Sequence, residues 1–288
     1  MTNISIQSGF QLAAGDIEIL SLLYEYRFLH IGHLIALTGR RHQMIHRRLL
    51  KLVERRFIAR ITPPAHKHIY TLGRTAASVL VEQGIAPLEF IDARLRHHEL
   101  KELFLKHTLM IVDLHVGLAR ATRDSHARLV AWMQGQDLYD RVTFREEAKN
   151  VRLPVRPDAF FTLEDATRDP GKNRLHFMLE ADRSTTTHER FLKKIKAYWH
   201  YFNQELHTKK YSIKSFRVVT VALTMERALN LRQAAEHILP QTMRKYFLFA
   251  PLHEFLNSPL GNIWSIPHDP QRYSFIPSVV APAERFTL

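Results

Sequence analysis

A chain of 288 residues is long enough for two domains, each with its own core. Its 41 Lys and Arg against 28 Asp and Glu give a net charge of +13, which points to a polyanion, double-stranded DNA first, as partner. The absence of cysteine excludes a disulfide framework and a thiolate metal site, and no window approaches the ~18 apolar residues of a spanning helix. With no basic start and apolar core in MTNISIQSGFQLAAGD, the expectation is a cytoplasmic chain without membrane contact.

Residues 1–12 read as an arm. From Ala14 the spacing of Ile17, Ile19, Leu20, Leu22 and Leu23 predicts a helix with Asp16 near its start. A short helix over 31–37 follows, closed by Thr38-Gly39, and then a third over 40–55 that buries Ile45, Leu49 and Leu52. Two helices, a glycine turn and a third helix form a helix-turn-helix pattern. Residues 57–61 and 68–72 predict strands across Pro63-Pro64, making a β-wing, and 74–83 returns as a helix. The third helix offers Arg40, Arg41, His42, Gln43, His46, Arg47 and Arg48 on its outer face, and the wing offers Arg60, His66, Lys67 and His68. Arg and Gln at a helix start suit base edges in a major groove, and the later arginines and Lys67 suit phosphates. A charge run is otherwise a solvated helix face; its coincidence with the third helix favours DNA.

Residues 84–96 read as a linker and 97–124 as a long helix with Leu100, Leu103, Phe104, His107, Ile111, Leu114 and Leu118 on its apolar side. A strand is expected over 138–145. Two more, 155–163 and 175–182, flank a turn-like segment. Equal spacing about that turn sets Asp158 beside Glu180, roughly 5 Å apart at Cβ. Like charges there need an offset, and a divalent cation is one. Surface pairing of Asp158 with Arg156 or Arg183 is the other reading. A helix from about Thr187 should bury Phe191, Ile195, Tyr198 and Phe202. Residues 216–223 read as a buried strand, 226–238 as a helix and 246–250 as a last strand. From Pro251 onward six prolines predict an extended tail pinned by Trp264, Tyr273 and Phe275.

The segments RPDAFF, FMLEADRSTT and LKKIKAYWHYF carry a resemblance. An Asp after Pro on one strand, a Glu before a third polar group on the next, and then a helix resemble the PD-(D/E)xK nuclease core. Their wording more specifically resembles the replication-relaxation family of mobile-element and plasmid proteins. The resemblance implies a mixed α/β chain, an N-terminal winged helix-turn-helix followed by a restriction-endonuclease-like αβββαβ domain. The expected divisions are a winged helix over 1–83, a linker over 84–96, a nuclease-like domain over 97–250 and a Pro-rich tail over 251–288.

It implies a metal-dependent nicking site in which Asp158 and Glu180 hold Mg2+ or Mn2+ and Lys194 assists. Asp182 stands where the pattern has Lys, so Lys194 of the following helix is its substitute, and Asp182 is a further candidate ligand on the face of Glu180. The departure keeps a second class open: a non-catalytic DNA-binding protein, an initiator accessory or repressor, whose nuclease-like fold serves homodimerisation or DNA clamping. A tyrosine relaxase through Tyr198 or Tyr201 lacks its histidine cluster, since His66-Lys67-His68 has Lys in the middle. No glycine-rich phosphate loop supports ATP use.

Overall fold

The computed structural model describes residues 11–62, 67–87, 102–123 and 125–276. The chain divides into two compact units, Met1–Val112 and Asp113–Leu288. It is a mixed α/β protein. Among the described residues no helix is long and apolar enough to cross a membrane.

In the first unit, helix α1 (Ala14–Tyr26) buries Ile19, Leu20, Leu23 and Tyr26 at three- to four-residue spacing. Strand β1 (Leu29–His30) leads into α2 (Ile31–Thr38). Here His30 and His33 cap reciprocally: the His33 N–H donates to His30 Nδ1 at 3.2 Å, and the His30 N–H to His33 Nδ1 at 3.3 Å. Gly39, at φ 69°, ends α2 in the left-handed region. Helix α3 (His42–Glu54) turns Ile45, Leu49 and Leu52 inward. Strands β2 (Ile58–Ile61) and β3 (Ile69–Leu72) pair antiparallel, with β1 on the other side of β3. Gly73 after β3 is required by close approach, because a Cβ there would lie 2.2 Å from the carbonyl oxygen of Arg56. Helix α4 (Ala76–Glu82) follows. The turn with Pro63, Pro64 and His66, residues 88–96 of the expected linker and the helix start at 97–101 lie outside the described residues.

Helix α5 (Glu102–Ala121) carries the division between the units within its length. Leu103 and Phe104, expected on its apolar side, are exposed, while Leu105 packs with Phe28 and Ile69.

The second unit is built on a seven-stranded sheet. Its strands are β4 (Ala127–Met133), β7 (Ala159–Asp165), β8 (Arg174–Asp182), β9 (Arg217–Ala222), β10 (Phe247–Pro251), β11 (Trp264–Ile266) and β12 (Asp269–Tyr273). They lie in the order β12-β11-β10-β9-β8-β7-β4, with β8, β9 and β10 parallel and the other neighbours antiparallel. Helices α6 (His188–Asn203), α7 (Leu206–Tyr211) and α8 (Met225–Glu236) accompany it. One core joins Phe160 and Met178 of the sheet to Phe191, Ile195 and Tyr198 of α6 and Leu231 of α8. Strand alternation sends Phe161 and Phe177 to the other face, where the rings stack with centroids 4.7 Å apart.

In the second unit three expectations differ. The strand expected over 138–145 does not enter the main sheet. Asp140–Glu146 (β5) pairs with Lys149–Val155 (β6) as a separate two-stranded ribbon, and β4 takes the sheet position. The polar alternation of β5, with Arg141, Thr143 and Arg145 exposed about buried Val142 and Phe144, suits a ribbon with one wet face. The single strand over 155–163 is broken at Arg156-Pro157-Asp158, because Pro157 has no N–H for a ladder. Over the described residues 252–276 the segment is not an extended tail. It forms helix α9 (Leu252–Asn257) and strands β11 and β12, which extend the sheet. Burial of Trp264 and Phe275, stacked at 4.3 Å, outweighs the prolines, and Pro270 sits in the terminal strand, where a missing N–H is tolerated. Residues 277–288 lie outside the described residues.

Candidate functional site

On α3, inward Ile45, Leu49 and Leu52 leave Arg41, His42, Gln43, His46 and Arg47 exposed, with Lys51 one turn beyond. The His42 and His46 rings stack at 5.8 Å. Two of the expected residues are engaged elsewhere. Arg48 Nε donates to Asp16 Oδ1 at 2.6 Å and its Nη2 to Oδ2, so its guanidinium forks onto a fully buried carboxylate of α1. Asp16 also accepts the Ala13 N–H at 2.8 Å. Arg40 pairs with Glu18 and donates to the Gly15 carbonyl at 3.3 Å. After α3, Arg60 on β2 and Lys67 and His68 just before β3 are exposed, with Thr62 Oγ1 3.0 Å from His68 Nδ1. His66 lies outside the described residues.

In the second unit the β7–β8 pairing runs Ala159↔Leu179, Phe160↔Met178, Phe161↔Phe177. One further step in that register sets Asp158 opposite Glu180, the juxtaposition that equal spacing about the turn predicts. Asp158 sits just before β7 and is tied to β8 twice: its N–H donates to the Leu179 carbonyl at 2.9 Å, and its Oδ2 accepts the Ala181 N–H at 2.8 Å. Glu180, whose side chain is 7 % exposed, faces α6. There Lys194 Nζ donates to its Oε2, and Tyr198 Oη donates to its Oε1 at 2.5 Å. Lys194 and Tyr198 are four apart, so they share one face of α6.

Burial pushes the Glu180 carboxyl up, against the pull of Lys194 and with the push of Asp158. Burial alone would lower Lys194, but Glu180 and Asp158 more than offset it and hold the ammonium above the ordinary lysine value. Burial and Glu180 raise the Tyr198 phenol, so it remains a donor.

Asp182, the last residue of β8, is held differently. Arg227 of α8 donates from Nε to Oδ1 at 2.9 Å and from Nη2 to Oδ2 at 3.1 Å, and the Ser184 N–H donates to Oδ1 at 2.8 Å. The structure thus gathers Glu180 and Lys194 with Asp158 across the strand pair, and gives Asp182 its own arginine. Sequence reasoning read Tyr198 as a core residue and a rival nucleophile; its spacing from Lys194 is the signal that places it on Glu180. Arg227 carries no such signal.

A family model described as replication-relaxation matches residues 20–215, spanning α3 as well as Asp158, Glu180, Asp182 and Lys194 but ending before Arg227. No curated protein and no solved structure matches the chain. The match covers more than half of the sequence and takes in the segments around Asp158 and Glu180 on which the resemblance was drawn, and the chain belongs to the replication-relaxation family.

Proposed function

We propose that the protein binds duplex DNA in the replication or relaxation of a plasmid or mobile element. In this reading its first unit is a winged helix-turn-helix and its second a nuclease-like scaffold. The observation that carries it is the sorting of basic residues about α3: Arg40 and Arg48 turn back to α1, while Arg41, Gln43, His46 and Arg47 face outward, with Arg60 on β2 and Lys67 just before β3. Arg41 and Gln43 begin the helix, the end that reads base edges when such a helix enters a major groove, and Arg47 is a turn further on, suited to a phosphate. Titrating a labelled duplex carrying the element's replication origin tests this. Arg41→Ala with Arg47→Ala should weaken binding by tenfold or more, and unchanged affinity and salt dependence would overturn it.

The second unit supports a metal-dependent nicking site. Asp158 and Glu180 are hard oxygen donors on adjacent strands, the donor type that Mg2+ or Mn2+ takes, and each Glu180 oxygen accepts one hydrogen bond while keeping a second lone pair. These two carboxylates would hold the cation, which when bound polarises a phosphate. Lys194 places a positive charge beside them, where it can stabilise a developing oxyanion. The bidentate hold of Arg227 on Asp182 favours the other reading, a non-catalytic scaffold for DNA clamping or homodimerisation. Divalent-dependent nicking of supercoiled origin DNA, lost in Glu180→Ala and Lys194→Ala with binding retained, would select the first; tight binding without cleavage would select the second.

A further inference from the structure

The ribbon β5–β6 lies outside both sites. Its inner face is fixed to α6 and α7: Phe144 stacks on His200 at 3.6 Å, Lys196 pairs with Glu146 at 2.5 Å, Tyr201 Oη donates to Asp140 at 2.9 Å, and Lys210 donates to the Tyr139 carbonyl at 2.7 Å. Its outer face alternates with buried Val142 and Phe144. The register Arg141↔Pro154, Thr143↔Arg152, Arg145↔Asn150 brings three arginines together on that side with two small polar residues.

Among the described residues Arg141, Arg145 and Arg152 form no ion pair, whereas Arg48, Arg168, Arg174, Arg227 and Arg272 are set onto carboxylates. Exposed arginines held on a fixed ribbon and left without counterions attract a polyanion. Thr143 and Asn150 add hydrogen-bond donors, and the face has no apolar cluster for a lipid surface. Arg141 and Arg145, four residues apart, span ~13 Å, the axial rise of about four base pairs of duplex. From the end of β6 the chain passes through Arg156, over the Tyr139 ring at 5.2 Å, to Pro157 and Asp158.

We infer that the outer face of β5–β6 is a second DNA contact, in which Arg141, Arg145 and Arg152 neutralise backbone phosphates on the approach to Asp158 and Glu180; this rests on the DNA-binding reading above. The contact adds affinity independent of base sequence, as phosphate contacts do.

Two measurements on the full chain test it. The first is binding of an origin duplex across a salt series by the wild type, by Arg141→Ala/Arg145→Ala/Arg152→Ala, and by the matching triple Arg→Lys variant. Three lost phosphate contacts should make the slope of log affinity against log salt shallower by about 3, and lysines should restore it. The second uses the absence of cysteine: Thr143→Cys bearing a thiol-linked photo-crosslinker should join to DNA, and Gln271→Cys on β12 should not. A wild type that binds, with an unchanged slope in the alanine variant and no crosslink from Thr143→Cys, overturns the ribbon contact and leaves the α3 reading standing. A wild type without DNA affinity takes both down.

Discussion

Arg48 of α3 closes its guanidinium on the buried carboxylate of Asp16 in the first turn of α1, with Nε 2.6 Å from Oδ1. The pair ties α1 to α3 beside the buried Ile45, Leu49 and Leu52, so the helix that would meet DNA is anchored by one of its own arginines.

Removing one partner of such a pair strands a charge in the interior, which typically costs about 3–5 kcal/mol. Among the described residues Arg48→Ala leaves Asp16 with the Ala13 N–H, and a loss on the order of 3 kcal/mol is expected by urea unfolding. A loss within about 0.5 kcal/mol would show that the fork does not hold α1 on α3.

The Glu180 carboxyl depends on Lys194 in the same way, with a weaker hold because the Lys194 side chain is 40 % exposed. Lys194→Met should cost about 2 kcal/mol at pH 8, a value reduced for that exposure. Without the ammonium the folded-state pKa of Glu180, already raised by burial, rises further above its unfolded value. A raised folded pKa gives stability that is present below the unfolded value and lost as pH rises through the folded one. The variant should therefore recover toward wild type as pH falls to 5, read as the difference in melting temperature. A deficit that grows on acidification would contradict the Glu180–Lys194 pairing.

His115 of α5 gives the opposite pH signature. It is buried and stacked on Trp132 at 4.1 Å, and burial pushes its pKa down to about 4. A depressed folded pKa means full stability above the unfolded value near 6.5, lost as pH falls toward 4. The loss should be on the order of 2 kcal/mol between pH 7 and 4.5. His115→Phe keeps the stack and removes the titration, so its melting temperature should change less over that interval. Equal pH dependence in both proteins would remove His115 from the account.

The parts legible in the sequence are those that local periodicity controls. The period of two in LHFMLEAD sends Met178 and Glu180 to the α6 side, and the turn between the strands sets the register that brings Asp158 opposite Glu180. The three- to four-residue spacing of α3 identifies Ile45, Leu49 and Leu52 as its inner face. Long-range pairing was not legible. Arg227 reaches Asp182 from 45 residues away, and Asp16 takes Arg48 from 32 away, so an arginine counted for DNA becomes an anchor. Nothing local tells a strand that joins the main sheet, such as β4, from a ribbon that stands beside it, such as β5.

The account centres on the outward face of α3, and competition binding at two salt concentrations tests it most directly. Arg41→Ala/Arg47→Ala should lose tenfold or more affinity for the origin duplex and show a shallower salt dependence. Arg40→Ala, which removes a residue paired with Glu18, should bind close to wild type once its folding is verified. The reverse order, with Arg40→Ala losing affinity and the double variant retaining it, would contradict the account.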